Sequence, residues 1–168
     1  MNVIPHRYSD DIYDDLWFPQ ETIEIRAQVR DFAERYVRPV THELNNTTES
    51  LDAFPQQLVM QMADAGLFRI PFAEEYGGAG LKYPTLATMV LLEEISYLSS
   101  GLSASMIDVQ LILFGHTLKH ASPEVRESLF PALMKGELVG SFATSQPAAS
   151  TDLSVRALQT EARRTKGG

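Results

Sequence analysis

The chain contains no cysteine. That excludes a disulfide scaffold, a thiolate-bound zinc or iron–sulfur site, and a cysteine nucleophile. It leaves the redox compartment open. Basic side chains are few: 14 Lys and Arg stand against 22 Asp and Glu, a formal net charge of −8. A nucleic-acid surface needs a basic face to neutralise phosphates, so that class is excluded. A polybasic membrane contact is excluded on the same ground. The opening MNVIPHRYSD has no positive region followed by an apolar one, so it is not a secretory signal. Long apolar runs are missing too. Stretches 86–92 and 106–114 are interrupted by Thr88 and by Asp108 and Gln110. Both are shorter than the ~20 apolar residues of a membrane span. These absences make a soluble protein of cytoplasmic location the expectation.

What is present is ordinary. The 168 residues are 44% hydrophobic and 21% charged, which suits one domain, or one and a fragment. Residues 1–17 read as an irregular arm, with Asp10, Asp11, Asp14 and Asp15 around Tyr13 as a solvated charge run. Pro19 then opens a helix whose Ile25, Val29, Phe32 and Tyr36 share one face. Glu24, Arg26, Asp31 and Arg35 lie elsewhere on the wheel. Pro39 is expected to end the helix near Arg38, and THELNNTTES (41–50) to form a polar loop.

A second helix follows Phe54-Pro55, with Leu58, Met62 and Ala65 on its apolar side and Gly66 just past its end. The connector LFRIPFAEEYGGAG (67–80) is too broken for a helix and too apolar for a solvated loop, so it should pack on the core. Pro84 starts a third helix to about Tyr97, apolar on more than one face, as in a buried bundle helix. Ser99-Ser100-Gly101 is a turn. A fourth helix runs from about Leu102 to Leu118. Ser122-Pro123-Glu124 is a strong start for a fifth, with Leu129, Phe130 and Leu133 facing the core and Gly136 stopping it.

The fold class is therefore mainly all-α, a bundle of about five to six helices over 18–136. After it the pattern changes. LVGSFAT (138–144) has the β-formers and flanking turn residues of a strand, and SQPAASTD (145–152) of a turn. Residues 137–168 read as the incomplete start of a β-domain. The ending Thr165-Lys166-Gly167-Gly168 makes a truncated chain the expectation.

At these residues the sequence resembles the acyl-CoA dehydrogenases, specifically their N-terminal helical domain. Three blocks carry the resemblance. VRDFAERYVRPV (29–40) is similar to the family's opening helix. FPQQLVMQMADAGLFRIPFAEEYGGAGLKYPT (54–85) is similar to its Pro-initiated helix, AGL turn and EEYGGAGL-like loop. LLEEIS (91–96) through SPEVRESLFPALMKGELVGSFATSQPAASTD (122–152) resembles its glutamate-rich helix, its GE step and its flavin-binding signature.

The resemblance implies an FAD enzyme that removes an α-proton of an acyl-CoA thioester with a glutamate base while a β-hydride passes to the flavin. An electron-transfer flavoprotein would be its partner and a homo-oligomer its assembly. It implies that Ser145 meets the flavin's pyrimidine edge, Thr144 ends the strand before it, and Phe142 flanks the ring. Thr151 would stand near flavin and the substrate's pantetheine. Gln146 replaces a usual glutamate and Ser150 a usual glycine. Without the family, a Ser/Thr/Ala-rich turn is more commonly a linker. The strand that stacks on the flavin and the helices that hold the base should lie beyond residue 168, so no catalytic residue is assigned here. The rival expectation is a non-catalytic helical bundle serving as a binding partner or remnant.

Alignment with the family also implies that Tyr76, Met106, Gln110 and Leu113 border the acyl cavity. Met60, Met62, Met89 and Met106 could line an acyl tunnel, although ordinary core is the commoner role of each. His116 and His120 are four apart, but no Glu-x-x-His unit accompanies them, so no metal is expected. Glu93 and Glu94, as neighbours on a helix, point in different directions and suit packing or interdomain ion pairs better than paired acid–base work.

Overall fold

Serine and proline set most helix starts in the computed structural model, which describes residues 6–12, 17–48, 50, 53–147, 152 and 154–166. Ser122 caps α8 (Pro123–Met134) by accepting from the Val125 N–H, and Pro123 fills the first position, where a missing N–H costs nothing. Pro84 opens α5 (Pro84–Ser96) in the same way. At the other end of α8, Gly136 adopts φ +70°. Its N–H donates to Leu133 O, and the Glu137 N–H donates to Ala132 O. This paired closure uses the left-handed backbone that glycine enters without a Cβ penalty.

A short helix α1 (Tyr8–Ile12) precedes α2 (Gln20–Phe32). Then come α4 (Gln56–Asp64), two 3-10 turns (Leu67–Arg69 and Glu74–Tyr76), and α5. Next is a rod made of α6 (Ser100–Ser103), a π-helical stretch (Ala104–Gly115) and α7 (His116–Leu118), and last α8. Helices α2 and α5 lie side by side in the same direction. Glu21 accepts from the Lys82 and Tyr83 N–H groups at one end, and Arg30 donates to Glu94 further along. Ser99 caps the rod and turns the chain back along α5, where Ser103 Oγ donates to Leu92 O.

The core lies between these elements and the connector. Met62, Leu67, Phe68, Phe72, Leu91, Ile95, Ile107, Leu111 and Leu133 are fully buried. The connector therefore packs as its apolar sequence requires. The rod has the length and apolarity of a membrane-crossing helix. However, Leu102, Met106, Ile107, Leu111 and Leu118 along it belong to the core, so it is the central helix of a bundle.

Four sequence expectations are corrected. Pro39 does not end the first helix, and 41–50 is not all loop. Beyond α2 the backbone widens into a π turn (Ala33–Val37), tightens into a 3-10 turn (Arg38–Val40) and continues as α3 (Thr41–Asn46). The change of hydrogen-bond spacing accommodates a ring that would clash with the carbonyl four residues back in a regular helix. Residues 138–144 form no strand. A strand needs a neighbour to complete its ladder, and the described residues offer none. The arm is not simply irregular and solvated: Tyr8–Ile12 is helical and Asp10 is drawn into a buried ion pair. Arg26 is also buried, with its guanidinium 4.7 Å from the Phe18 ring centroid.

Candidate functional site

The segment resembling a flavin signature leaves α8 through Leu138, which packs on the core, and passes Gly140. A Cβ on Gly140 would lie 2.2 Å from Phe114 Cδ1. Only a glycine lets the backbone pass this close to the ring. The contact sets the segment against the rod that carries Met106, Gln110 and Leu113. Beyond it, Phe142 and Ser145 are exposed and Thr144 is half-buried. Thr151 and Ser150 lie outside the described residues.

Gln146 departs from the family pattern, and its carboxamide is engaged at both its oxygen and its nitrogen. Oε1 accepts from the Gln159 N–H (3.1 Å) and the Thr160 hydroxyl (3.2 Å), and Nε2 donates to Ala157 O (3.4 Å). It folds 157–160 back onto the turn. Asp152 accepts from the Ser154 N–H, which holds its carboxyl below the ordinary range.

The acyl-cavity candidates are spread over two places. Tyr76 sits in a cleft of about 530 Å³ with Arg69, Arg126, Phe130, Met134 and Lys135. Its ring lies 4.8 Å from that of Phe130, which packs edge-on against Phe72. Met106, only 4% exposed, belongs to the core and borders a different cleft of about 940 Å³ between α3, α4 and the rod. Leu113 is half-buried. Gln110 is completely buried, and neither its Oε1 nor its Nε2 finds a partner among the described residues. Met62 is core, whereas Met60 and Met89 are exposed. Among the described residues no group of His, Asp and Glu is arranged to hold a metal. His116 stacks near Phe72, and burial, then the nearby Lys119 and His120, push its pKa down.

The strongest electrostatic feature was only partly foreseen. Glu94 is 1% exposed. It accepts from Arg30 Nε (2.9 Å) and Nη2 (2.7 Å), and from Arg7 Nη1 (2.6 Å). Asp10 accepts from both Arg30 terminal nitrogens, at 2.6 and 2.7 Å. Glu34 accepts from Arg7 and Arg38. Arg7 and Arg30 had no signal in the sequence, because hydrophobic periodicity says nothing about partners 87 and 64 residues away. Glu94 is thereby committed to ion pairs, but with the arm and α2 rather than with another domain as expected.

This cluster sets an acid limit on stability. Hydrogen bonds from Arg30 hold the Asp10 carboxyl at about 2, against an ordinary 3.8. Those from Arg38, then Arg7, hold Glu34 at about 2, against 4.5. Depressed carboxyl pKa values add stability that is complete above the ordinary values and is lost as the pH falls through them toward about 2. Urea midpoints measured down this range should fall for the parent protein and fall less for Asp10→Asn.

The comparisons with known proteins agree with this architecture. Residues 19–137 match the family model for the acyl-CoA dehydrogenase N-terminal domain. The chain is 32% identical over 129 residues to a short-chain specific acyl-CoA dehydrogenase of Clostridium acetobutylicum, covering 76% of this chain and 32% of that protein. It is 32% identical over 137 residues to a 3-(aryl)acrylate reductase of Clostridium sporogenes, covering 82% and 35%. It is 32% identical over 141 residues to the mitochondrial short-chain specific acyl-CoA dehydrogenase of Mus musculus, covering 84% and 33%. The chain thus spans about a third of the length of the curated relatives it matches. It belongs to the acyl-CoA dehydrogenase family, an oxidoreductase family, and carries that family's N-terminal helical domain.

Proposed function

We propose that this chain is the N-terminal part of an FAD-dependent enzyme that oxidises an acyl-CoA thioester to the 2,3-enoyl-CoA. In this reading it works as a homo-oligomer and passes electrons to an electron-transfer flavoprotein. The observation that carries the proposal is the family match over 19–137, followed seven residues later by SQPAASTD (145–152). What supports a flavin here is that Ser145 and Phe142 are exposed, with Thr144 half-buried between them. These three would hold the pyrimidine edge and flank of the ring, with Thr151 beside the substrate. Bound FAD would supply the hydride acceptor that no side chain provides. Gln146, already bonded to 157–160, shapes the turn rather than meeting the cofactor.

Met106, Gln110 and Leu113 on the rod, with Tyr76 on the connector, are the acyl-side residues of this reading. The α-proton base belongs to helices outside residues 1–168. Short-chain acyl-CoA thioesters are the first substrates to try, the class in two relatives' names. A second reading has one specific support: the equally similar arylacrylate reductase. In that reading the enzyme would work in the reductive direction, adding hydride to a 2,3-unsaturated acyl group.

The test is isolation of the protein from its native source. Intact mass, flavin absorbance and anaerobic bleaching by butyryl-CoA would be measured on one preparation. A species heavier than 18.7 kDa that carries FAD and bleaches is the expected result. No bleaching by the saturated thioester, together with reoxidation of the dithionite-reduced flavin by an unsaturated acyl substrate, would favour the reductase reading. A flavin-free species of 18.7 kDa would overturn both and leave a helical binding protein.

A further inference from the structure

The side chain of Arg7 is 3% exposed, although it sits in a charged arm ahead of the family domain. What surrounds it is a receptor for a guanidinium. Nη1 donates to Glu94 Oε2 at 2.6 Å and Nη2 to Glu34 Oε1 at 3.0 Å. The guanidinium carbon lies 3.9 Å from the centroid of the Tyr97 ring. Two carboxylates in reach of a planar fork, with an aromatic face over it, are the chemistry that recognises arginine. All three of these residues lie within 19–137, whereas Arg7 does not.

The carboxylates are also oriented without Arg7. Arg30 holds Glu94 through two further bonds, and Arg38 holds Glu34. Among the described residues, taking Arg7 away leaves three carboxylates (Asp10, Glu34, Glu94) against two guanidiniums (Arg30, Arg38), a deficit of one positive charge. We propose that Glu34, Glu94 and Tyr97 form a preformed guanidinium-binding site on the helical domain, and that Arg7 is its tethered ligand. Residues 6–12 then act as a strap across α2 and α5. Asp10 anchors the strap by accepting from the Arg7 N–H (2.8 Å) and from Arg30. The inference is independent of the redox chemistry.

Chemical rescue in the otherwise intact protein tests it. Arg7→Ala should lower the melting temperature by about 10 °C, since it strips one partner from a buried ion network. Millimolar methylguanidinium, far below denaturing levels, should restore most of that loss. Methylammonium or sodium chloride at equal ionic strength should not, because neither offers a planar pair of donors. The double variant Arg7→Ala, Glu94→Gln should lose the rescue. If Arg7→Ala does not fold, Arg7→Lys keeps the charge and is tested for the same selective rise with methylguanidinium. An unchanged melting temperature in Arg7→Ala, equal rescue by methylammonium, or no rescue in either variant would overturn the proposal.

Discussion

Glu94→Gln is expected to lower the unfolding free energy by about 3–5 kcal/mol, measured as a lower urea midpoint at an unchanged slope. The substitution keeps shape and volume and removes only the charge. Two guanidiniums, Arg7 and Arg30, then remain inside with their shared counter-ion gone. An exposed group in this position would be hydrated, but Glu94 is 1% exposed and its two partners at most 7%. The loss is a large share of a typical total stability of about 5–15 kcal/mol. The contrast is Arg35, whose pair with Asp31 lies open to solvent on both sides. Arg35→Ala should leave the midpoint unchanged, because water and salt screen such a pair.

The difference between these two ion pairs could not be read from the sequence. Asp31 and Arg35 are four apart on one helix, a spacing that any reading of the chain finds. Arg30 and Glu94 are 64 residues apart, and nothing local marks either as inward-facing. The same limit explains the arm. Four aspartates within six positions look solvated by composition, yet one of them, Asp10, faces a buried arginine. Burial of a charge is decided by what packs around it, which is tertiary information.

Local chemistry was legible wherever it is decisive. Ser122-Pro123-Glu124, Pro84 and Gly136 each act within one turn of backbone, and each stands where its residue type required. Pro39 shows where that logic stops. Proline forbids a regular helix interior, but a switch from π to 3-10 spacing lets the chain continue into α3. Leu44 alone gave α3 too little apolar periodicity to notice. In the candidate site, the identities of Phe142, Thr144 and Ser145 were available from the resemblance. What brings the chain just ahead of them against the rod, the passage of Gly140 beside Phe114, was not. Gln110 belongs with these cases: its place on the rod was foreseen, and its complete burial without a partner was not.

Gly78→Ala is expected to be the most damaging glycine-to-alanine change among the described residues. A Cβ there would lie 2.0 Å from Phe72 O, 2.3 Å from Phe72 C and 2.6 Å from Phe72 Cβ. Two of these atoms are backbone, so no rotamer change relieves the clash. The loop cannot easily open either. The Gly78 N–H donates to Ala73 O, the Ala79 N–H to Arg69 O, and the Gly80 N–H to Phe72 O. Displacing Phe72 is costly in turn, because it is 1% exposed and packs against Phe130 and His116. It also touches Gly115 on the rod, where a Cβ would meet the ring at 2.5 Å. The strain therefore spreads from the connector to α8 and the rod, and a cost of about 3 kcal/mol or more is expected. Gly101→Ala is the matched control: its Cβ would meet nothing within 4 Å, and in a helical turn it should be neutral or stabilise by up to about 1 kcal/mol. Urea midpoints of the two variants give the comparison, and equal midpoints would mean that the connector is not seated against Phe72 as described. The same contact gives the EEYGGAGL-like loop a physical reason. The glycine at 78 lets the chain double back over Phe72, and that turn carries Tyr76 to the cleft beside Phe130.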